Sequence, residues 1–511
     1  MPGFRRSWDA LLAALVLLAV ALPAAAGDYR ELEQEVREFT LPNGMHFLVV
    51  RRPEVPVFSF NVYVDAGSVN EVQGITGLAH IIEHMAFKGT TEIGTSDAKA
   101  ERRAMVAEDA AFAALQAERR RAAAADSVRL AALEEAFARA KEAARQFVVS
   151  NEFAQVVENN GGVGLNASTS SDATNYYYSF PSNRLELWAY LESNRLAAPV
   201  FREFYTEKDG PVTEERRMAV DNNPIGMLVE QLSGMAFSAH PYGHPLVGYM
   251  SDLNSITRTQ GDDFYRAHYV GNNMACAIVG DVDYDEVKRV ADKYFTRIPG
   301  PAPTPEVDTV EPKQLGEKRI VIEHTAQPLV LMSYHKGSAT DPDDAVYEAI
   351  ADVLGQGRTS RLYQGLVKDR KIAVQAGGFS GFPGSKYPNL MLIYAVPANE
   401  VEPEEIETAL VAEIERLAAD GMTADELAGV KRRARANFIR SLRGNMGLAR
   451  QLTHYQMITG DWRNLFKQLD EIEAVTLDDV QRVAGALFAA TNRTVAMIRT
   501  RDQGAEQAAA R

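Results

Sequence analysis

Short apolar runs fall into two sets along the chain, separated by a Pro-rich stretch. In the first set, Phe39-Thr-Leu-Pro-Asn43-Gly44 is a hairpin turn leading into the strand Met45-His-Phe-Leu-Val-Val50, and Val57 to Val64 predicts a second strand. Met274-Ala-Cys-Ala-Ile-Val-Gly280 is apolar throughout, as a buried strand is. Leu165 to Ser170 and Thr174 to Phe180, rich in Ser, Thr and Tyr, predict two extended strands after Gly161-Gly-Val-Gly164, one of them at a sheet edge, and a helix follows over 184–196. From Ser96 to Val149 the sequence is rich in Ala, Arg and Glu with almost no Gly or Pro, which predicts a solvated helical hairpin broken at Asp126-Ser127, where a helix cap fits.

Ile298-Pro-Gly-Pro-Ala-Pro-Thr-Pro305 marks an interdomain linker. Beyond it the pattern restarts: Lys318 to Ile322 and Leu329 to Tyr334 repeat the early strands, His335-Lys-Gly337-Ser338 stands where Asp65-Ala-Gly67-Ser68 stood, and a helix over 346–354 takes the next place. The chain is therefore expected to be α+β, with two tandem, weakly similar α/β-sandwich domains over 27–298 and 318–511, a linker over 299–317, and a helical insertion over about 96–149. At 511 residues it is too long for one ordinary core.

The first residues change the expected location. Arg5 and Arg6, an apolar run from Ala10 to Leu22, then Pro23 and Ala24-Ala25-Ala26 form a secretory signal cleaved after about Ala26, so an exported, periplasmic protein is expected. The run is short for a membrane span, and no later segment approaches one. A net charge of −15 with no basic stripe argues against nucleic acid as a partner. Cys276, the only cysteine, can form no internal disulfide and is expected to be a buried small hydrophobe.

Candidate chemistry sits in His80-Ile-Ile-Glu83-His84. Positions i, i+3 and i+4 project from one side of a helical turn, so His80 and His84 can bind one ion while Glu83 reaches a water beside it. The order is that of the inverted zinc-protease motif. Its flanks, Gly77-Leu-Ala and Met85-Ala-Phe-Lys-Gly89, make the helix largely apolar, an environment in which unpaired imidazoles are costly and a metal would satisfy them. Catalytic zinc usually takes three protein ligands. A third donor lies in Pro211-Val-Thr-Glu214-Glu215-Arg-Arg-Met218, with Pro211 at a first helical position and only one of the two glutamates able to face the ion.

Taken with these, Met85-x-Phe-Lys-Gly-Thr90, Asn166-Ala-Ser-Thr169 with Thr174-x-Tyr176-Tyr177, and Glu215-Arg-Arg-Met218 with Asp221-Asn-Asn-Pro224 resemble the pitrilysin-type zinc peptidases over residues 30–500, closest to the bacterial two-domain branch similar to the mitochondrial processing peptidase. The resemblance implies the pitrilysin-type fold and a zinc endopeptidase acting on peptides or unfolded polypeptides, with one Zn2+ held by His80, His84 and Glu215 and with Glu83 as general base. It implies substrate along Asn166, Ala167, Ser168 and Thr169. The frame of Arg216-Arg-Met218 favours Glu215 over Glu214. The family's supporting acid, seven residues before the distal ligand, would fall on Lys208, while Glu207 is seven before Glu214; an extra residue near Gly210-Pro211 accounts for this, with Glu207 as the supporting acid. Where the family's second domain offers an Arg and, seven residues on, a Tyr, this chain has Val367 and Val374, with Arg370 out of frame. That implies a dimer, either with a homologous subunit supplying the Arg and Tyr or with a second copy using other groups. The alternative function is a non-catalytic binding or assembly subunit. His240-Pro-Tyr-Gly-His244 is expected to be a loop of packing residues rather than a second metal site, and Gly355-Gln-Gly357-Arg-Thr-Ser360 lacks the lysine of a phosphate loop.

Overall fold

The computed structural model describes residues 29–501; the expected signal segment lies outside them. Six strands form the first sheet: β1 (Arg37–Thr40), β2 (His46–Arg51), β3 (Val57–Val64), β4 (Val163–Thr169), β5 (Thr174–Pro181) and β6 (Met274–Gly280), in the order β1-β2-β6-β3-β5-β4. Five form the second: β7 (Lys318–His324), β8 (Leu329–Lys336), β9 (Ala373–Phe382), β10 (Asn389–Pro397) and β11 (Arg493–Thr500), in the order β7-β11-β8-β10-β9. Matching β2, β6, β3, β5, β4 to β7, β11, β8, β10, β9 makes the two orders identical, and in each sheet the first matched pair alone is parallel. The weak sequence repeat is thus a repeat of topology, with helix Leu78–Met85 after β3 and helix Asp344–Gly355 after β8.

Central strands are buried on both faces. β6 is buried along its whole length, Cys276 included, and burial pushes the Cys276 thiol well up. Two polar residues of β3 find partners: Ser59 Oγ lies 2.7 Å from Ser179 Oγ, and Asn61 Nδ2 donates to Asn175 Oδ1 at 2.9 Å and Thr453 Oγ1 at 2.7 Å. β5 alternates, sending Thr174, Tyr176, Tyr178 and Phe180 into the first core. β4, last in its sheet, is bonded to β5 alone.

The two halves exchange cover. Leu48, Val50, Ala277 and Val279, on the rear of the first sheet, belong to the core of the second half, and helix Asn445–Thr459 lies across β3 and β6. In return, helix Pro224–Ala236 lies on β7 and β11, with Leu228 and Leu232 packed on Leu329, Leu331, Ala496 and Ile498. The Pro-rich connection has no regular structure over 299–317. It is nevertheless pinned, because the Glu311 carboxylate accepts from the backbone N–H groups of Ser238, Ala239 and His240 at 2.8, 2.8 and 2.9 Å.

Two expectations need correction. The inserted hairpin, Ala98–Arg119 and Ser127–Arg145 with Asp126 capping the second helix, is not simply solvated: Phe112, Leu115 and Phe137 are buried in the first core. Pro211 does not begin a helix. The helical run starts at Phe204, and Pro211 falls inside a π turn, Lys208–Val212, whose wider ring accommodates a residue with no N–H to donate.

Candidate metal centre

Helix Leu78–Met85 begins at Gly77, whose φ of 88° is open to glycine and whose added Cβ would meet Val247 O at 2.7 Å. Glycine brings no capping side chain. Glu71 supplies the cap from six residues upstream, its oxygens accepting from Gly77 N at 2.8 Å and Ala79 N at 2.7 Å. Capped in this way, the helix presents His80 and His84 with ring centroids 4.8 Å apart and planes perpendicular.

The run from Phe204 to Asp221 brings the acids. Glu215 Oε2 lies 3.3 Å from His80 Nε2 and 3.6 Å from His84 Nε2. Three donors bonded to one tetrahedral zinc at roughly 2.0–2.2 Å are themselves about 3.3–3.6 Å apart; both Glu215 distances fall in that range, and the three donor atoms all lie within 4.8 Å of one another. Among the described residues, His80, His84 and Glu215 are the only group of three or more such donors placed to share an ion. Glu214 points elsewhere, exposed and paired with Arg217 at 3.1 Å. Glu207 Oε2 stands 3.6 Å from His84 Nδ1, and its other oxygen takes the ammonium of Lys88. Lys208 turns away from the histidines and is buried beside Asp209.

The electrostatics suit a cation. Burial opposes charge on His84, yet Glu207, Glu83 and Glu215 together raise its pKa above the ordinary imidazole value. The hydrogen bond with His80 leads in holding Glu215 below the usual carboxylate range, against burial. Glu83 faces β4, where its Oε2 accepts from Thr169 Oγ1 at 2.5 Å.

Residues 166–169 therefore divide by face. Thr169 is tied to the histidine helix and Ala167 is buried, whereas Asn166 and Ser168 are exposed; Ser168 lines a cavity of about 770 Å3 between the two sheets, together with Glu348, Phe379 and His454. In the second half Val374 is 57% exposed, at the start of β9, and Val367 is half-buried in the π turn Tyr363–Asp369. His240 accepts from Tyr242 N at 3.1 Å and packs on Phe237, Tyr242 and Tyr387. Sequence reasoning missed Glu71, since a cap so far upstream has no local pattern. It also missed Asp172, which accepts from the Tyr242 hydroxyl and from the backbone N–H groups of Ser385 (2.6 Å) and Lys386 (3.1 Å), tying the β4–β5 turn to the second half.

Two models of one family match, one after the other along the chain. Insulinase (Peptidase family M16) covers residues 47–117 and 145–249, and the Peptidase M16 inactive domain covers 255–434. The chain is 26% identical over 497 residues to the zinc protease PqqE of Helicobacter pylori, covering 96% of this chain and 97% of that protein. It is 22% identical over 476 residues to the mitochondrial-processing peptidase subunit beta of Saccharomyces cerevisiae, covering 90% of each. Among solved structures, a protease from Helicobacter pylori superposes with a TM-score of 0.76 at 24% identity, covering 91% of this chain and 99% of that one. The first half of the periplasmic protease PqqL from Escherichia coli superposes with a TM-score of 0.68 at 16% identity, covering 93% of each. With both of its model regions present in order and its relatives matched nearly from end to end, this two-sheet, inverted-motif chain belongs to the pitrilysin-type peptidase family M16.

Proposed function

We propose that the protein is a zinc-dependent endopeptidase hydrolysing peptides or unfolded polypeptides. The observation that carries this reading is the three-donor set of His80, His84 and Glu215, with Glu215 Oε2 at zinc spacing from the Nε2 of both histidines, Glu83 beside it and a sheet edge, β4, alongside. His80, His84 and Glu215 would hold the ion, and Glu207 would orient His84 through its far nitrogen. When bound, zinc polarises a peptide carbonyl and makes water a stronger acid. Glu83 takes the proton of the attacking water on its carboxylate and passes it to the leaving amine. Thr169 Oγ1 holds that carboxylate in place between the helix and β4. An extended peptide adding to the open edge of β4 gains main-chain hydrogen bonds beside residues 166–169, which places its backbone next to Glu83.

Purified protein is expected to carry about one zinc per chain and to lose activity with chelator. Glu83→Gln is expected to keep its zinc and fold while peptide turnover falls by about a hundredfold or more. A folded, zinc-loaded Gln variant as fast as wild type would overturn the assignment of Glu83. Absence of zinc with full solubility would favour the non-catalytic subunit reading instead.

The same reading includes export to the periplasm, supported by the N-terminal charge and apolar pattern and by the periplasmic PqqL neighbour. Among the described residues no helix is long and apolar enough to cross a membrane. It also includes a dimer. Val367 and Val374 offer no polar grip on substrate, and three relatives are named as beta subunits of a mitochondrial-processing peptidase. Activity of the isolated chain is expected to rise when a homologous subunit bearing the Arg and Tyr is added. Equal activity without it would leave the homodimer.

A further inference from the structure

The run that carries Glu215 is not a plain helix. From Phe204 to Asp221 it alternates α turns with two π turns, Lys208–Val212 and Arg217–Asp221. In an unbroken α-helix each residue advances by about 100°, so Glu214, seven residues after Glu207, would share its face and Glu215 would be rotated away. The π turn at Lys208–Val212 absorbs one extra residue, and Glu207 and Glu215, eight apart, both face His84 instead. π turns are rare beside plain α turns, so neighbouring structure must favour this one.

The inserted hairpin packs against the side of the run opposite the histidines. Tyr205 is wedged between Phe112 and Phe137, at centroid distances of 4.3 and 5.4 Å, and its hydroxyl donates to Asp109 Oδ1 at 2.9 Å. Lys208, 1% exposed, runs beneath the hairpin with Nζ 5.3 Å from the Phe112 ring centre. Thr213 Oγ1 donates to Lys208 O at 2.6 Å, a side-chain bond across the wide turn. Just before the run, the buried Arg202 guanidinium joins Glu101 of the hairpin at 2.8 and 3.2 Å and also donates to Ile93 O, in the loop after the histidine helix, at 3.1 Å. The match to the family model is interrupted at 118–144, within this hairpin.

We propose that the hairpin is a clamp that selects the π-turned register, and that it thereby decides that Glu215 and not Glu214 faces the histidines. The inference rests on the metal reading given above. The clamp residues are positioning residues, and their effect should appear in zinc affinity.

Phe137→Ala loosens the wedge without touching the run itself, and Leu410→Ala in the second core serves as a control of comparable destabilisation. Measured by chelator competition, Phe137→Ala is expected to bind zinc at least about tenfold more weakly than wild type, the usual scale for losing a support behind a ligand, while Leu410→Ala binds as wild type does. Tyr205→Phe, which removes only the hydroxyl, is the milder variant and should weaken affinity in the same direction. Deleting Pro211, the residue in the wide turn with no N–H to donate, shortens the spacing to seven and lets a plain α-helix present Glu215. It is expected to restore zinc affinity in the Phe137→Ala background. Wild-type affinity in both Phe137→Ala and Tyr205→Phe, or no rescue by the deletion, would overturn the clamp. A wild-type chain that binds no zinc would instead overturn the metal reading beneath it.

Discussion

Glu71 lies wholly inside the first core, its carboxylate taken up by backbone N–H groups at the start of the histidine-bearing helix. Burial dominates its titration and, with the nearby Asp252 charge, pushes it up to about 8 against the backbone hydrogen bonds from Ala79, Gly77 and Leu78. The folded state therefore prefers Glu71 protonated, whereas the unfolded chain releases that proton near pH 4.5. The contribution to stability is complete below that value and is lost as pH rises towards about 8. Glu71→Gln stays neutral throughout, so the stability of wild type relative to this variant should decline across that window, by on the order of a few kcal/mol. Thermal unfolding of the chelated proteins across the pH range checks this, and parallel curves for the two would refute it. Nothing in the sequence around Glu71 announces the role, because the glycine at the cap position hides the need for a distant acid. His80, Glu83 and His84 were legible for the opposite reason: their relation is fixed within one helical turn.

At the scale of elements, strands and helices were legible wherever a period of two or 3.6 ran undisturbed. Val57–Val64 carries the expected bounds, and the Asp126 cap falls where the hairpin was expected to break. The repeat was legible only as faint similarity, yet the matched strand orders make it a duplication of pairing rather than of residues. What the periodic rules could not supply was the run from Phe204 to Asp221. Helical phase said only that one of Glu214 and Glu215 could face the ion, the preference for Glu215 coming from the frame of Arg216-Arg-Met218, and two π turns alter the phase that a plain helix would give. A proline in mid-run was the visible trace of this, misread as a helix start because Pro also suits that place. The insertion was misread similarly. Its Ala-rich composition describes the solvent face, while three apolar residues, Phe112, Leu115 and Phe137, set its contact with the first core.

For the whole molecule, the exchange of cover between halves makes separate folding costly. Without the second half, the rear face of the first sheet would expose Leu48, Val50, Ala277 and Val279, and Asn61 would lose its hydrogen bond to Thr453 on helix Asn445–Thr459. Without helix Pro224–Ala236, the second sheet would expose Leu329, Leu331 and Ile498. Polar ties close the same seam: Arg52 donates to Leu442 O at 3.0 Å and Arg443 O at 3.1 Å, and Trp462 Nε1 donates to Glu38 Oε2 at 3.0 Å. Two sheets joined by a flexible linker would melt independently, whereas sheets that share layers should unfold together. Calorimetry of the intact, metal-free chain is therefore expected to give a single transition, and residues 29–300 expressed alone should aggregate or bind a hydrophobic dye. Thr453→Val, which keeps the shape of the side chain and removes only its hydroxyl, should lower that one transition by about 1–3 kcal/mol of stability through the Asn61 amide left with one partner fewer. Two resolved transitions, with only one of them moved by Thr453→Val, would show that the halves fold apart and that the shared layers are mere contact.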